Sequence, residues 1–160
     1  MVTPRKASPH PQVRTTREKV PPPFVLTYVL ILCAVGITLE VIFTALAAFP
    51  TSTDRRLMGY AYVWMLPIYA LVYPLCTVLY PRLSPYPLLV RGVIYTFIVY
   101  LVEYSSGWLL RRVLGECPWE RGYRRARWGV HGLIRLDFAP AWMSAALIFE
   151  WTYRVLRGLA

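Results

Sequence analysis

The longest apolar segment of the chain limits most strongly how it can fold. Phe24 to Phe49 is a run of 26 residues with a single charged residue, Glu40. About 20 apolar residues are enough for a helix to cross a bilayer, so this run predicts a membrane-spanning helix. Composition agrees: 57% of the 160 residues are hydrophobic and 16% are charged, against about 45–50% and about 25% in soluble domains. A soluble globular domain is therefore not expected.

Three further apolar runs follow along the chain. Leu57–Pro81 carries no charge, Gly92–Leu110 carries one acid, and Phe138–Phe149 is uncharged over 12 residues. The last reaches span length only if Glu150 and a snorkelling Arg154 are included; its alternative is a re-entrant or interfacial segment. We predict an all-α, multi-pass integral membrane protein, a four-helix bundle in residues 24–160. The predicted transmembrane helices cover about 24–49, 57–80, 89–110 and 136–157.

The N-terminal segment, residues 1–23, differs in composition from the rest of the chain. It contains six prolines and five basic residues. A segment of this kind cannot bury an apolar core, so we predict a disordered, basic, proline-rich tail.

The basic residues give little information about orientation. Counted near the predicted span ends, nine Lys and Arg fall on the side of the N-terminal tail and nine on the other side. Because the first helix usually dominates the positive-inside rule, a cytoplasmic N-terminus is favoured. The balanced count also leaves dual topology open.

The ionisable residues restrict the partners and cofactors. A net charge of +10 would indicate nucleic acid in a polar protein, but in this apolar chain we expect membrane lipids as partners and no nucleic acid. Two histidines, and three cysteines without a C-x-x-C pair, predict no metal site and no cofactor. No Walker motif is present, so any use of ATP would need another chain.

Four of the eight acidic residues lie within or beside the apolar runs. Glu150 could pair with Arg154 four residues later, and Asp137 could cap the last helix. Glu40 and Glu103 have no basic residue within one helical turn. A charge at the bilayer centre costs about 2.5–3.5 kcal/mol on insertion scales, so these two acids indicate a functional or bundle-organising site.

The acids are predicted to share one depth in the membrane. With a rise of about 1.5 Å per residue, Glu40 lies about 14 Å and Glu103 about 10 Å from the same membrane face. Polar residues of the other helices reach this layer too. The predicted intramembrane cluster is Glu40, Glu103, Tyr69, Asp137, Trp64 and Ser106, and the loop predicted above it contains Cys117, Trp119, Glu120 and Arg124. The alternative for this loop is a solvated basic segment that touches lipid headgroups.

Several motifs resemble a known membrane-protein family. They are Gly36-x-x-x-Glu40, Trp64-x-x-Pro67-Ile68-Tyr69, Arg91-x-x-x-Tyr95, Glu103-x-x-Ser106-Gly107, Cys117-Pro118-Trp119, Leu136-Asp137-Phe138-Ala139-Pro140 and Glu150. Over about residues 28–155 the chain resembles the transmembrane protein 229 family, whose bacterial relatives are labelled putative type IV ABC-transporter proteins. Glu120 stands where the family usually has Asp, and Ala70 where Gly is frequent. The resemblance implies a multi-pass membrane protein and assigns no catalytic residue.

Three functions are consistent with these patterns. The first is a transport-related, permease-like subunit or small carrier, whose carboxylates bind a cation, a proton or an amine; its partners would be a second copy, another membrane subunit or an ATPase subunit. The second is an intramembrane enzyme or binding protein acting on a lipid or isoprenoid, which the lack of a nucleophile–base pair disfavours. The third is an assembly or regulatory subunit whose acids only specify helix packing.

Overall fold

The computed structural model describes residues 22–51, 53 and 55–158, and most of these are helical. The elements follow in the order α1 (Pro22–Ala48), α2 (Met65–Ala70), α3 (Val72–Leu83), α4 (Leu88–Leu114), α5 (Glu120–Arg124), β1 (Gly129–Val130), β2 (Ile134–Arg135), a 3₁₀ turn (Leu136–Phe138) and α6 (Ala139–Gly158). Helix α6 packs against α1, α3 and α4.

The N-terminal boundary differs slightly from the prediction. Helix α1 begins at Pro22, so it includes the last two residues of the predicted tail. Proline is favourable in the first helical turn, where its missing N–H would have no partner. The expected disorder of residues 1–21 concerns a segment that lies outside the described residues.

Among the residues that the structure describes, three helical segments are long and apolar enough to cross a membrane. They are Phe24–Ala48, Met65–Leu83, which comprises α2 and α3, and Leu88–Leu114. The predicted fourth helix is present as α6, but it is not among these segments. Glu150, Arg154 and Arg157 lower its mean hydropathy. The membrane-spanning role of α6 therefore stays a prediction.

The second predicted span begins too early. Residues 57–64 are not helical, and the helix starts only at Met65. The hydroxyl of Thr44 on α1 accepts a hydrogen bond from the Tyr60 N–H at 2.9 Å and donates to the Tyr60 carbonyl at 2.8 Å. Irregular backbone beside a membrane helix needs such partners for its polar groups. The Thr44 hydroxyl thus takes the place of the backbone hydrogen bonds that Tyr60 would have made in a helix.

The third connector, residues 115–138 between α4 and α6, contains a short β-hairpin that the prediction did not include. Strands β1 and β2 form an antiparallel hairpin in which Val130 pairs with Ile134. His131 and Gly132 both have positive φ, at 55° and 72°, and the Leu133 N–H donates to the Val130 carbonyl at 3.0 Å. Two positive φ values are typical of the tight turns that match strand twist. The hairpin returns Leu133, whose side chain is 0% exposed, to the core.

The core and the outer surface of the bundle are both apolar. The buried cluster that joins the helices to the third connector includes Tyr28, Leu32, Met65, Leu110, Trp119, Leu133 and Phe149. Large apolar side chains are also exposed on α1 and α4: Leu26, Leu30, Ile42, Leu46, Val93, Phe97 and Leu101. Lipid tails are as apolar as these side chains, so the surface suits a bilayer.

Candidate intramembrane site

A cavity of about 310 Å³ lies among the helices α1, α2, α3, α4 and α6. Its walls are almost entirely apolar. Glu40 from α1 and Glu103 from α4 both line it, together with Tyr69 from α2 and Trp119 from the third connector. The structure therefore brings two acids, a tyrosine and Trp119 to the same cavity. We call residues 117–124, which contribute Trp119 to the cavity wall, the covering segment.

Glu40 is held by a tyrosine of the neighbouring helix. The Tyr69 hydroxyl donates a hydrogen bond to Glu40 Oε2 at 3.0 Å. Gly36, one turn before Glu40, makes this approach possible, since a Cβ there would lie 2.5 Å from Tyr69 Cγ. Residues four apart share one helix face. The Gly36–Glu40 spacing thus lets the Tyr69 ring pack on Gly36 while its hydroxyl donates to Glu40.

Glu103 is buried, with 7% of its surface exposed. The Tyr123 hydroxyl, from α5, donates to Glu103 Oε1 at 3.0 Å. The indole of Trp142 also interacts with this carboxylate, but neither its Nε1 nor Glu103 Oε2 has a partner at hydrogen-bond geometry. Burial of a polar atom without a hydrogen bond is costly, so this oxygen is one of the polar atoms in the cavity wall that lack a partner.

Neither cavity acid is neutralised by a basic residue. Within the described residues, the ion pairs involve Glu116, Glu120, Asp137 and Glu150, and none involves Glu40 or Glu103. Sequence spacing did not reveal Tyr123 as a partner, because it lies in a connector and reaches Glu103 only through the fold.

The covering segment is fixed by Trp119. Its indole Nε1 donates to the Leu133 carbonyl at 2.9 Å, and both side chains are buried. The adjacent Cys117 side chain is 1% exposed, and burial raises the pKa of its thiol to about 11. The thiol is therefore protonated at neutral pH and is not a nucleophile.

Glu120 ties the covering segment to α4. Its carboxylate accepts hydrogen bonds from Arg111 Nε at 2.8 Å and from the Cys117 N–H at 3.1 Å, and it forms an ion pair with Arg124. Burial disfavours the charged form, but the Cys117 N–H and the two arginines outweigh it and lower the pKa of Glu120. Glu120 and Arg124 thus stabilise the covering segment from outside the cavity.

Three predicted members of the cluster do not line the cavity. Trp64 precedes α2 and is 46% exposed. Ser106 donates to the Val102 carbonyl of its own helix at 2.6 Å. Asp137 is exposed and forms an ion pair with Arg135, whose guanidinium lowers the pKa of Asp137.

A second polar group, Arg91, Tyr95 and Glu150, joins α4 to α6. Arg91 forms an ion pair with Glu150 at 2.9 Å, which corrects the expected pairing of Glu150 with Arg154. The Arg154 guanidinium instead lies 6.0 Å from the centre of the Tyr80 ring. Arg91 Nε, Tyr95 Oη and Glu150 Oε2 are buried without hydrogen-bond partners. The sequence singled out Glu150 as an acid beside an apolar run, but it linked Arg91 and Tyr95 to this group only through the family motifs.

The apolar helices are typical of an integral membrane protein, and the cavity among them is lined by one buried acid, Glu103, and one half-buried acid, Glu40. The chain belongs to the family described as putative ABC-transporter type IV, whose model matches residues 27–157. This match confirms the bacterial family inferred from the motifs, whereas the relation to the transmembrane protein 229 family stays a prediction. No solved structure matches the chain.

Proposed function

We propose that this protein is a permease-like subunit or small carrier that binds a cation between Glu40 and Glu103. The observation that carries the proposal is Glu103 Oε2, a buried carboxylate oxygen without a hydrogen-bond partner in the wall of a cavity. Acids within membrane segments are costly and usually lie on substrate or ion pathways. A bound cation would supply the missing partner and neutralise the charge.

The finer features of this proposal concern topology and partners. We propose that α6 is the fourth span and that the N-terminus is cytoplasmic, which places the third connector and the covering segment on the opposite side. The chain has no Walker motif, so an ATP-driven cycle would use a separate ATPase subunit. A homo-oligomer is the alternative assembly.

A second candidate function is that of an assembly subunit. It is supported by the way both acids connect different elements: Glu40 bonds Tyr69 of α2, and Glu103 bonds Tyr123 of α5. In this case the two carboxylates would only specify helix packing. A small rotation that pairs Trp142 with Glu103 would then satisfy both unpartnered atoms.

Flux through reconstituted protein separates the two candidates. We expect liposomes with the wild-type protein to pass a cation from a panel of H⁺, Na⁺, K⁺ and substituted ammonium ions down an imposed gradient. Glu103→Gln, which has the shape of the protonated acid, should abolish that flux and keep the fold. Glu116→Gln is the matched control, because Glu116 pairs with Arg121 and both side chains are exposed.

Two results would refute the transport proposal. One is the absence of flux for every cation of the panel from correctly folded wild-type protein. The other is equal flux through Glu103→Gln and Glu116→Gln. Loss of thermal stability in Glu103→Gln without any wild-type flux would favour the assembly function.

A further inference from the structure

We infer that the cavity accepts a substituted ammonium ion with an apolar body, rather than a metal ion or a bare proton. The inference rests on the proposed function, since it names the occupant of the same site. It is carried by the combination of apolar walls, aromatic rings and unneutralised acids in one cavity.

The size and walls of the cavity require a partly apolar occupant. Along α4 its lining extends from Glu103 back to Tyr95, eight residues or about 12 Å of helix. Its volume of about 310 Å³ is at the lower end of the range of about 300–1,000 Å³ for small-molecule pockets. An occupant of this length would have only one end at the carboxylates. The rest of it would contact aliphatic and aromatic side chains.

Metal ions do not fit this lining. Hard cations take about six or more oxygen ligands. In the part of the chain that the structure describes, no three or more His, Cys, Asp or Glu residues are grouped so that they could hold a metal. Two carboxylates in an apolar wall supply too few ligands to replace the water of such an ion.

Aromatic side chains line much of the cavity. They are Phe43, Tyr69, Tyr95, Trp119, Trp142 and Phe149. Two of them are fixed by hydrogen bonds: Tyr69 to Glu40 at 3.0 Å and Trp119 to Leu133 at 2.9 Å. A cation within about 6 Å of an aromatic face is attracted to it, and quaternary ammonium groups are bound in this way. Fixed rings give such a site without further ordering.

The charge of the site selects against other amphiphiles. An anion would meet two acids that have no basic partner among the described residues. A neutral hydrocarbon would leave Glu103 Oε2 unpaired. An ammonium group bearing apolar substituents satisfies both the acids and the walls.

The ammonium group could belong to a free organic cation or to a choline lipid headgroup. The shared chemistry is a positive nitrogen that carries alkyl groups. Binding to purified protein in an uncharged maltoside detergent, with and without added phosphatidylcholine, distinguishes the two sources. Competition by the lipid would identify the headgroup, and its absence would identify the free cation.

The test titrates purified full-length protein with hexyltrimethylammonium and follows the heat of binding. Tetramethylammonium lacks the apolar chain, and hexanesulfonate carries the same chain with the opposite charge. We expect hexyltrimethylammonium to saturate one site, tetramethylammonium to bind at least about tenfold more weakly, and hexanesulfonate not to bind. Glu103→Gln should weaken hexyltrimethylammonium binding at least about tenfold, whereas Glu116→Gln should bind like the wild type.

Three outcomes would overturn the inference. They are equal affinity for the cation with and without its chain, saturable binding of hexanesulfonate, and equal binding by Glu103→Gln and Glu116→Gln. The proposed function is judged separately. Flux of protons or inorganic cations without alkylammonium binding would leave transport standing and remove this substrate class. Binding of the alkylammonium ion without any flux would leave the ligand class standing and remove the transport proposal.

Discussion

Replacing Glu120 with Gln tests how the covering segment is held over the cavity. Gln keeps the size of the side chain and can still accept the Cys117 N–H bond of 3.1 Å. It loses the negative charge that faces Arg111 at 2.8 Å and Arg124. The change therefore removes the charge of Glu120 from its contacts with Arg111 and Arg124 and leaves the packing unchanged.

The expected cost is set by the exposure of the two arginines. A hydrogen bond to a charged group contributes about 1.5–3 kcal/mol, and the Arg111 side chain is only 30% exposed. The Arg124 side chain is 67% exposed, so its pairing contributes no more than about 1 kcal/mol. We expect a loss of about 2 kcal/mol, or about 4–8 °C in Tm at about 2–4 °C per kcal/mol.

The assay is thermal unfolding in detergent, followed by tryptophan fluorescence. Glu116→Gln serves as the control, since in its pair with Arg121 the side chains are 58% and 84% exposed, and such pairs contribute about 0–1 kcal/mol. Equal Tm values for the two variants would refute the assigned role of Glu120.

The ion pairs of Glu120 predict that the stability of the protein depends on pH. The folded protein lowers the pKa of Glu120 from its usual value of 4.5. Its stabilisation is therefore fully present above that value and is lost as the pH falls through the lower, folded pKa. The Tm difference between wild type and Glu120→Gln should be constant near neutral pH and shrink in acid. A difference that grows as the pH falls would contradict the argument.

Two substitutions test the contacts of the cavity acids. Gly36→Ala would place a Cβ 2.5 Å from the Tyr69 ring. It should lower the free energy of unfolding by about 1–3 kcal/mol. The control is Gly122→Ala, which should not destabilise the protein because a Cβ there meets nothing within 4 Å. Tyr123→Phe removes the hydroxyl that donates to the buried α4 carboxylate and should cost about 1–3 kcal/mol. The control is Tyr104→Phe, which removes an exposed contact between the Tyr104 hydroxyl and His131 Nδ1 and should cost less. Equal losses of stability in the two variants would contradict the role given to the bond between Tyr123 and Glu103.

Local spacing along single helices determined much of the cavity. Apolar run length predicted the helices, because a bilayer requires about 20 apolar residues in sequence. The four-residue spacing of Gly36, Glu40 and Thr44 puts them on one face of α1, and each contacts the segment that follows: Gly36 and Glu40 meet Tyr69, and Thr44 meets Tyr60. The shared face depends only on helix geometry, which sequence spacing contains.

Only the tertiary structure decided which partners the acids have across helices. Glu150 pairs with Arg91 of α4 rather than with Arg154 one turn away, and Glu103 accepts a bond from Tyr123 in the connector. For an exposed pair four residues apart on one helix, water competes for the hydrogen bonds of both side chains. A partner on another helix, such as Arg91 for Glu150, comes within reach only when α4 and α6 pack. The spacing of residues along one helix contains no information about that packing, so the sequence could place the acids in the membrane but could not name what they bind.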